Sequence, residues 1–384
     1  MDDIKYPQFS FDSDLTRAVI ELERQRANLN HGTTPPEVFD QLRELFQLLT
    51  SIMSARIEGN RTSILDAVTG AAGSKNSLGS PGLDDGVEEI LNIQRGVEFI
   101  EKNVASSPIN HLFIRELHRT VVSGLRREGD QTPGAYRLGE VTIGESHHRP
   151  PWPADVPDCM TSLVAFIAED VEPQMQLLQI AVAHHRFLWI HPFGNGNGRT
   201  ARLLTYAMLV KQGYTSTADY GAVNPTAVFG SDRQGYYDNL EKADTQSNEG
   251  MVAWCTYVLT GLNADLRRLG RLAERSFVVD GLLIPAIERL RSSGGLTAGE
   301  AAALGIAAKK TIVKAGDLQS ALPGSPSTRS QAIKRLTDRG LLRATASGSR
   351  TYQLMFGPNE LTVHLVNRLN AEGLLPSILS DDPI

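Results

Sequence analysis

The sequence predicts a mainly α-helical protein with strands in only two short places. Apolar residues recur at intervals of three and four along much of the 384-residue chain, the spacing of helices that bury one face. Patterns typical of strands are confined to the neighbourhood of 137–150 and to 341–354. Polar stretches rich in glycine and serine, such as 71–85, read as linkers. The predicted helices are 15–26, 38–52, 86–103, 108–125, 156–171, 175–190, 198–212, 233–273 and 281–293.

Composition limits the classes of function. The chain has 38 basic and 44 acidic residues, a net charge of −6, so no overall basic field draws it to nucleic acid or to a membrane. No apolar run approaches the ~20 residues of a membrane span, and the first residues lack the basic start and apolar core of a signal peptide. Cys159 and Cys255 are isolated, without the spacing of a disulfide framework or a metal site. These features predict a cytoplasmic protein with no membrane partner.

The run 191–202, His-Pro-Phe-Gly-Asn-Gly-Asn-Gly-Arg-Thr-Ala-Arg, is the strongest functional pattern. Its alternating glycines allow positive φ angles, which turn several backbone N–H groups inward to form an anion-binding nest. A helix follows directly, so its positive N-terminal end faces the same anion. The sequence therefore predicts a phosphate site. Its loop residues are Gly194, Asn195, Gly196, Asn197 and Gly198.

Three charged or titratable side chains flank this loop. Arg199 and Arg202 lie three residues apart, and so share a helix face suited to holding a polyphosphate. His191 precedes the loop, where its imidazole can act on a group that attacks phosphorus. Neither the dinucleotide-binding pattern nor the Walker pattern fits, because the third glycine and the Gly-Lys-Ser/Thr are missing. The pattern indicates phosphoryl or nucleotidyl transfer.

This run resembles the Fic (Fic/Doc) family signature, His-Pro-Phe-x-Asp/Glu-Gly-Asn-Gly-Arg-x-x-Arg, at every fixed position except one. Asn195 stands where the family has an acidic residue. The resemblance covers roughly residues 90 to 260 and implies a Fic-type helical bundle. It implies a protein adenylyltransferase, an enzyme that transfers AMP from ATP to a Ser, Thr or Tyr hydroxyl of a protein target or of itself.

The resemblance also implies roles for single residues. His191 would remove the hydroxyl proton, the loop N–H groups and the Asn197 side chain would hold phosphate oxygens, and Arg202 would take the γ-phosphate. Arg199 would neutralise the phosphates near the reacting centre, while Phe193 anchors the loop in the core. Mg²⁺ would bridge the α- and β-phosphates, with Asn195 offering a neutral oxygen in place of the family's carboxylate. Weaker metal binding, slower transfer and a different donor all stay open.

Two further segments resemble parts of the same family. Residues 133–144, followed by 150–153, resemble the flap, which in the family lies over the active site and aligns the target segment by strand addition. A short hairpin is therefore expected near 137–150. Residues 232–240 resemble an element near the nucleotide base, with Tyr236 and Tyr237 as candidate stacking residues and a core role as the alternative.

Residues 54–59, Ser-Ala-Arg-Ile-Glu-Gly, fit the inhibitory pattern of Fic proteins that carry an N-terminal inhibitory helix. In that interpretation Glu58 pairs with Arg202 and occupies or distorts the γ-phosphate position, which would make the enzyme autoinhibited. The alternative is a solvated glutamate at the end of a helix that a glycine caps.

The C-terminal region resembles a winged helix-turn-helix. Residues 325–343 read as a recognition-type helix, and 341–343 with 350–354 read as a two-stranded wing. DNA binding and protein docking are both open, and the modest basic clustering favours docking. The predicted organisation is a helical segment with the inhibitory motif over 1–85, a catalytic core over 86–275 and a winged-helix domain over 276–384. Inward-facing Ile333 and Leu336 and outward-facing Lys334, Arg335 and Arg339 define the faces of the recognition helix.

Other interpretations remain. One is a metal site ligated by histidines, because His184, His185 and His191 fall within eight residues. Against it, adjacent histidines point to opposite sides of a helix, and His184 matches a structural histidine of the family. A Fic fold can also transfer phosphocholine, UMP or phosphate, or remove AMP with the glutamate activating a water. An inactive scaffold that regulates through DNA binding is a further alternative. The target protein and the oligomeric state, a homodimer included, stay open.

Overall fold

The structure, a computed structural model, describes residues 4–27, 32–74, 84–144, 146–214 and 225–379. Over these residues the protein is mainly helical, with one three-stranded sheet near the C-terminus. The chain divides into two compact units, each assembled from three chain segments. The first unit comprises 1–30, 47–62 and 82–267, and the second comprises 31–46, 63–81 and 268–384. No helix among the described residues is long and apolar enough to cross a bilayer.

The first unit consists of helices and the segments between them. The helix Pro36–Ile57 contributes its second half, from residue 47, and the helix Asn248–Gly270 contributes its part up to residue 267. The helices are α1 Asp14–Ala27, α2 Pro36–Ile57, α4 Asp85–Asn103, α5 His111–Val121, α6 Val156–Ala168, α7 Pro173–Ile190, α8 Asn197–Lys211, α9 Pro225–Ser231, α10 Arg233–Asp244 and α11 Asn248–Gly270. The sequence predicted a single helix over 233–273, which is wrong: the chain breaks after α10, where Gln246 has a positive φ of 54°.

Helices α7 and α8 form the centre of the first unit. Both are buried around most of their circumference, and α8 packs against α4, α5 and α7. Several polar groups that this burial encloses are paired: His184 Nδ1 lies 2.7 Å from Thr205 Oγ1, and Trp254 Nε1 donates to the Ala181 carbonyl at 2.7 Å. The loop between α7 and α8 is the run singled out in the sequence, so the fold brings it to the middle of this unit.

The predicted hairpin near 137–150 is absent from the described residues of that segment, 137–144 and 146–150. Instead of a cross-strand ladder, the carbonyls of Gly139 and Pro151 accept hydrogen bonds from the Arg137 guanidinium at 3.0 and 2.6 Å. A two-stranded ribbon is marginally stable without further strands. The hairpin prediction is therefore wrong for this structure.

The second unit carries the sheet. Its elements are the first half of α2, α3 Ile64–Ser74, a π-helical turn Phe277–Leu283, α12 Ile284–Ser292, α13 Ala298–Lys310, β1 Ile312–Lys314, α14 Pro326–Asp338, β2 Leu342–Ala344, β3 Thr351–Leu354 and α15 Glu360–Ala371. The strands are antiparallel in the order β1-β3-β2, with Leu342 opposite Leu354. The two predicted wing strands are thus confirmed as a pair. The sequence analysis missed β1 and α13, although alanine-rich segments favour helix and Thr297 with Glu300 forms a capping box.

Helix α14 has the predicted faces. Its Ser325 cap accepts the Thr328 N–H at 3.2 Å, and Pro326 occupies the first turn, where no N–H partner is needed. Ile333 and Leu336 are buried, while Lys334 and Arg335 are exposed. The outward cations are paired with carboxylates: the pairs are Lys334–Asp338 at 2.8 Å, Arg335–Glu300 at 3.6 Å and Arg339–Glu360 at 2.6 Å. The charge that this face offers to an external anion is therefore reduced.

Candidate active site

The candidate site is built around the loop that joins α7 to α8. Helix α7 ends at Ile190 and is capped by His191, whose left-handed backbone (φ 49°, ψ 61°) reverses the chain while its N–H still bonds to the Phe187 carbonyl at 3.0 Å. Gly196 has a φ of 71°, and α8 begins at the next residue. A left-handed residue at each end bends the chain tightly. The first turn of α8 is therefore presented beside His191.

The loop is closed by its own residues. Phe193 is fully buried, which confirms its predicted anchoring role, and it stacks on the His118 ring at a centroid distance of 3.7 Å. The Asn197 side chain donates to the Phe193 carbonyl at 2.9 Å and accepts the Phe193 N–H at 3.0 Å. The loop itself thus takes up the amide oxygen and one amide proton, and a phosphate contact by the Asn197 side chain stays a prediction.

His118, on α5, is a supporting residue that the sequence analysis missed. Its Nδ1 accepts the Gly134 N–H at 2.9 Å, so Nε2 carries the proton and donates to the Asn195 carbonyl at 3.0 Å. Burial lowers the pKa of His118 to about 4, which keeps the ring neutral in this bridging tautomer. Its place on the apolar face of α5, four residues after Ile114, was the one signal in the sequence.

Asn195 faces two carboxylates from the segment after α5. Its N–H donates to Asp130 Oδ2 at 3.0 Å, and its side-chain Nδ2 lies 3.4 Å from Glu128 Oε2. Its Oδ1 accepts the Gly196 N–H at 2.7 Å. Asp130 also accepts the Thr132 N–H and is buried, whereas the Glu128 side chain is 44% exposed. The amide nitrogen of Asn195 therefore faces Glu128, and the partly exposed Glu128 carboxylate is the group beside position 195 that suits a hard cation already bound by phosphates. Glu128 thus places an anionic group beside position 195, where the family has an acidic residue and this chain has an asparagine.

Arg199 lies in the interior. Its Nη1 is 2.9 Å from Glu89 Oε1 on α4, and its Nη2 donates to the Glu128 carbonyl at 2.8 Å. Asn60 donates to the other oxygen of Glu89 at 2.7 Å. Burial raises the pKa of Glu89, an effect that the nearby Arg199 opposes. Glu89 was not predicted, because it lies more than one hundred residues from its partner.

Arg202 contacts the predicted inhibitory motif. Its Nη2 donates to Glu58 Oε1 at 2.7 Å, and its Nε and Nη2 donate to the Ser54 hydroxyl and carbonyl at 2.9 and 3.0 Å. Although burial alone raises the pKa of Glu58, the charge and hydrogen bond of Arg202 hold it below its ordinary value. The Glu58 carboxylate also lies against Gly198, where a Cβ would overlap Oε1. The carboxylate thus occupies space at the N-terminus of α8.

His191 has the electrostatic character of a neutral base. Burial lowers its pKa to about 4; the Leu188 carbonyl raises it, Arg137 lowers it and Glu58 raises it. The imidazole is therefore uncharged at neutral pH and has a nitrogen able to accept a proton.

The two tyrosines of α10 differ. Tyr236 is buried, and its hydroxyl lies 3.0 Å from His184 Nε2, which favours the core role that the sequence left open as its alternative. Tyr237 is exposed and lies 5.5 Å from the Arg233 guanidinium, measured from its ring centroid. Tyr237 therefore stays a prediction for the base contact.

The site thus lies in a mainly helical unit, where a His-Pro-Phe loop leads into a buried helix. Residues 108–209 match the sequence model of the Fic/DOC family. A protein adenylyltransferase Fic of Nematostella vectensis is 30% identical over 174 residues, 44% of this chain and 38% of the relative. That of Aedes aegypti is 28% identical over 274 residues, 66% of this chain and 50% of the relative. The chain thus contains a Fic domain over residues 108–209, and it spans half or less of these relatives' length.

Solved structures agree on the fold. A Fic family protein from Desulfovibrio desulfuricans aligns with a TM-score of 0.53 at 21% identity, over 91% of this chain and 98% of that one. Fic-1 from C. elegans aligns with a TM-score of 0.54 at 21% identity, over 67% of this chain and 72% of that one. At this identity the likeness establishes the Fic fold alone.

Proposed function

We propose that this protein transfers AMP from ATP to a Ser, Thr or Tyr hydroxyl of a protein and that Glu58 holds it in an inhibited state. The observation that carries the proposal is the meeting of three groups at the start of α8. A neutral His191, the glycine-lined helix N-terminus and Arg202 converge there, and a carboxylate from the inhibitory motif contacts Arg202 and Gly198. An anionic oxygen at a helix N-terminus beside an arginine marks a place where phosphate oxygens are stabilised.

In the proposed reaction His191 accepts the hydroxyl proton as the oxygen attacks the α-phosphorus of ATP. A P–O bond forms to the target, the bond to the β-phosphate oxygen breaks, and pyrophosphate leaves. The N–H groups at the start of α8 stabilise the charge that develops on the phosphate oxygens. Arg202, once released by Glu58, binds the γ-phosphate.

Arg199 has a different proposed role. Its guanidinium is fixed by Glu89 and by the Glu128 carbonyl, so it adds positive potential beneath the first turn of α8 without moving. This placement favours electrostatic stabilisation of the phosphates over a mobile contact.

A magnesium ion fits the same corner of the site. Phosphate oxygens and Glu128 would hold it, and the Asn195 oxygen, which here accepts the Gly196 N–H, would join them only if the amide turned toward the ion. The ion would neutralise charge on the phosphates. In this proposal the carboxylate comes from the segment after α5, because position 195 itself has none.

The test is to substitute Glu58. Glu58→Gly should raise self-modification by at least about tenfold, because it frees both Arg202 and the space beside Gly198. Glu58→Gln is the matched control, since it keeps the volume and removes the charge; its activity should lie between those of the parent and the glycine variant. The measurement is intact-mass spectrometry after incubation with ATP and Mg²⁺.

Each result decides between functions. A gain of one AMP mass in Glu58→Gly supports the transferase. Equal labelling of parent and variant rules out inhibition by Glu58. An unmodified chain that binds duplex DNA in a fluorescence anisotropy assay supports the regulator instead, and a different mass gain with CDP-choline or UTP identifies another donor.

For residues 276–384 we propose a winged helix-turn-helix that docks a protein. The pairing of Lys334, Arg335 and Arg339 with carboxylates supports docking over DNA binding, because paired cations release fewer counterions from DNA.

A further inference from the structure

Arg137 makes an unusual set of hydrogen bonds in the segment between α5 and α6. The residue is buried, and its backbone and side chain together donate to five carbonyl groups. No carboxylate pairs with its guanidinium among the hydrogen bonds and salt bridges of the described residues. An arginine satisfied by carbonyls alone keeps its full positive charge in the interior.

Three of the five carbonyls belong to consecutive residues of the active-site loop. Arg137 Nε donates to the His191 carbonyl at 2.8 Å, Nη2 to the Ile190 carbonyl at 3.4 Å, and the backbone N–H to the Pro192 carbonyl at 2.9 Å. The central residue is the one in the left-handed conformation, which side chains other than glycine rarely adopt. The arginine thus binds the backbone on both sides of the strained residue.

The other two carbonyls bracket the segment that follows Arg137. Nη1 donates to the Gly139 carbonyl at 3.0 Å, and Nη2 donates to the Pro151 carbonyl at 2.6 Å. One guanidinium therefore holds both ends of residues 139–151 and the backbone of the candidate base. A planar group with donors in a fixed fork transmits a displacement at one side to the other.

Arg137 acts on His191 through its charge as well as through its hydrogen bonds. The charged or titratable groups that influence His191 are Arg137, Glu58 and His148, and the positive charge of Arg137 disfavours a protonated ring. Removal of this charge should therefore raise the pKa of His191, whereas removal of the fork with the charge retained should not.

We propose that Arg137 is a positioning residue: it fixes the backbone of His191 and couples it to residues 139–151, so that the base and the segment beside it are set together. This inference rests on the proposed function, because it assigns the consequence of that coupling to AMP transfer. Arg137 itself touches no reacting atom in this role.

The experiment compares Arg137→Lys, Arg137→Gln and Arg115→Gln, each in the Glu58→Gly background. Lysine keeps the charge and loses the fork, and glutamine loses both. Arg115 is the matched control, since its side chain also donates to a backbone carbonyl, that of Gly134, but does not contact the loop. Three quantities are measured: the single-turnover rate of self-modification, the affinity for ATP, and the titration of His191 by NMR of labelled imidazole carbons.

Both Arg137 variants should slow transfer by about 10²-fold, the cost of a displacement of about 1 Å in a reacting group, while ATP affinity changes little. Only Arg137→Gln should raise the pKa of His191. Amide exchange should accelerate together at Ile190 and His191 and in 139–144 in both variants. Arg115→Gln should change none of these quantities.

A transfer rate unchanged in Arg137→Lys overturns the proposal, and so does faster exchange in one segment alone. Loss of ATP affinity in parallel with rate also overturns it, since that pattern belongs to general destabilisation. If the Glu58→Gly parent transfers no AMP, the proposed function fails, but the titration and the exchange data still decide whether Arg137 couples His191 to 139–144.

Discussion

Arg199 and Arg202 lie three residues apart on α8 and are both buried, yet their carboxylate partners differ in kind. Glu89 sits within α4, and its side chain is 4% exposed. Glu58 follows the last residue of α2, and its side chain is 28% exposed. The pKa of Glu89 is raised and that of Glu58 is lowered. The comparison teaches that one pair is enclosed within the interior, whereas the carboxylate of the other lies just past a helix end and is partly exposed.

The largest expected effect tests whether the reaction beside the two arginines depends on His191 as its base. In the Glu58→Gly background, His191→Ala should reduce AMP transfer by about 10²–10⁴-fold, because the attacking hydroxyl loses its base. ATP affinity should be nearly unchanged, since both arginines remain. The measurement is single-turnover labelling with radioactive ATP. His364→Ala, in the second unit, is the control, and an undiminished rate in His191→Ala would remove this residue from the mechanism.

The second prediction concerns stability and separates the two pairs. Glu89→Gln should lower the free energy of unfolding by about 3 kcal/mol, because it leaves the Arg199 charge buried without an anion. Glu58→Gln should cost about 1 kcal/mol or less, since the pair is partly exposed and Ser54 still binds Arg202. Urea unfolding at neutral pH measures both. Equal losses would mean that the two pairs do not differ as described.

The third prediction concerns the proposed magnesium site, which lies between Asn195 and Arg199. Asn195→Asp adds an anionic oxygen near Glu128, so the Mg²⁺ concentration for half-maximal transfer should fall several-fold. Glu128→Gln should raise it, and the double variant should lie close to the parent. Titration of Mg²⁺ at fixed ATP in the Glu58→Gly background is the assay. Identical metal dependence in all four proteins would place the ion elsewhere.

The smallest expected effect is the absence of a pH response. Because the pKa of Glu58 is below its ordinary 4.5, its contact with Arg202 is fully present above that value and is lost only as the pH falls through the lowered pKa. The His191 pKa of about 4 likewise leaves the base neutral. The ratio of Glu58→Gly activity to parent activity should therefore stay constant from pH 6 to 8. A tenfold drift in that ratio would show that another group controls the contact.

The sequence predicted the features that depend on contiguous residues or on periodic spacing. The helices follow from apolar spacing, and the loop 191–202 is readable because its anion-binding parts are neighbours in the chain. The Glu58–Arg202 contact was predicted through the family resemblance, although the two residues are 144 positions apart.

The features that could not be predicted from the sequence depend on packing between distant segments. Glu89 shows no local pattern that marks it, and the apolar face of α5 and the resemblance of 133–144 to the flap do not single out the roles of His118 and Arg137. Each of the three acquires its role only when the loop or α8 packs against it. Tyr236 and Tyr237 are adjacent and identical, so only the rotation of α10 decides which one is buried. The hairpin prediction failed for a related reason, since the described residues of 137–150 are held by Arg137, whose contacts to Gly139 and Pro151 no local pattern announces.

The missing side chain of Gly198 has a consequence for how the protein is switched on. Its small volume admits either a phosphate oxygen or the Glu58 carboxylate, and the carboxylate is tethered to the same chain. Under the proposed function, Glu58 is therefore an intramolecular competitor whose effective concentration is in the millimolar range or higher and does not fall on dilution. The apparent affinity for the productive nucleotide pose scales with the fraction of molecules in which the tether is open. A signal that weakens the closed state by about 1.4 kcal/mol raises that open fraction roughly tenfold, and it need not touch the nucleotide.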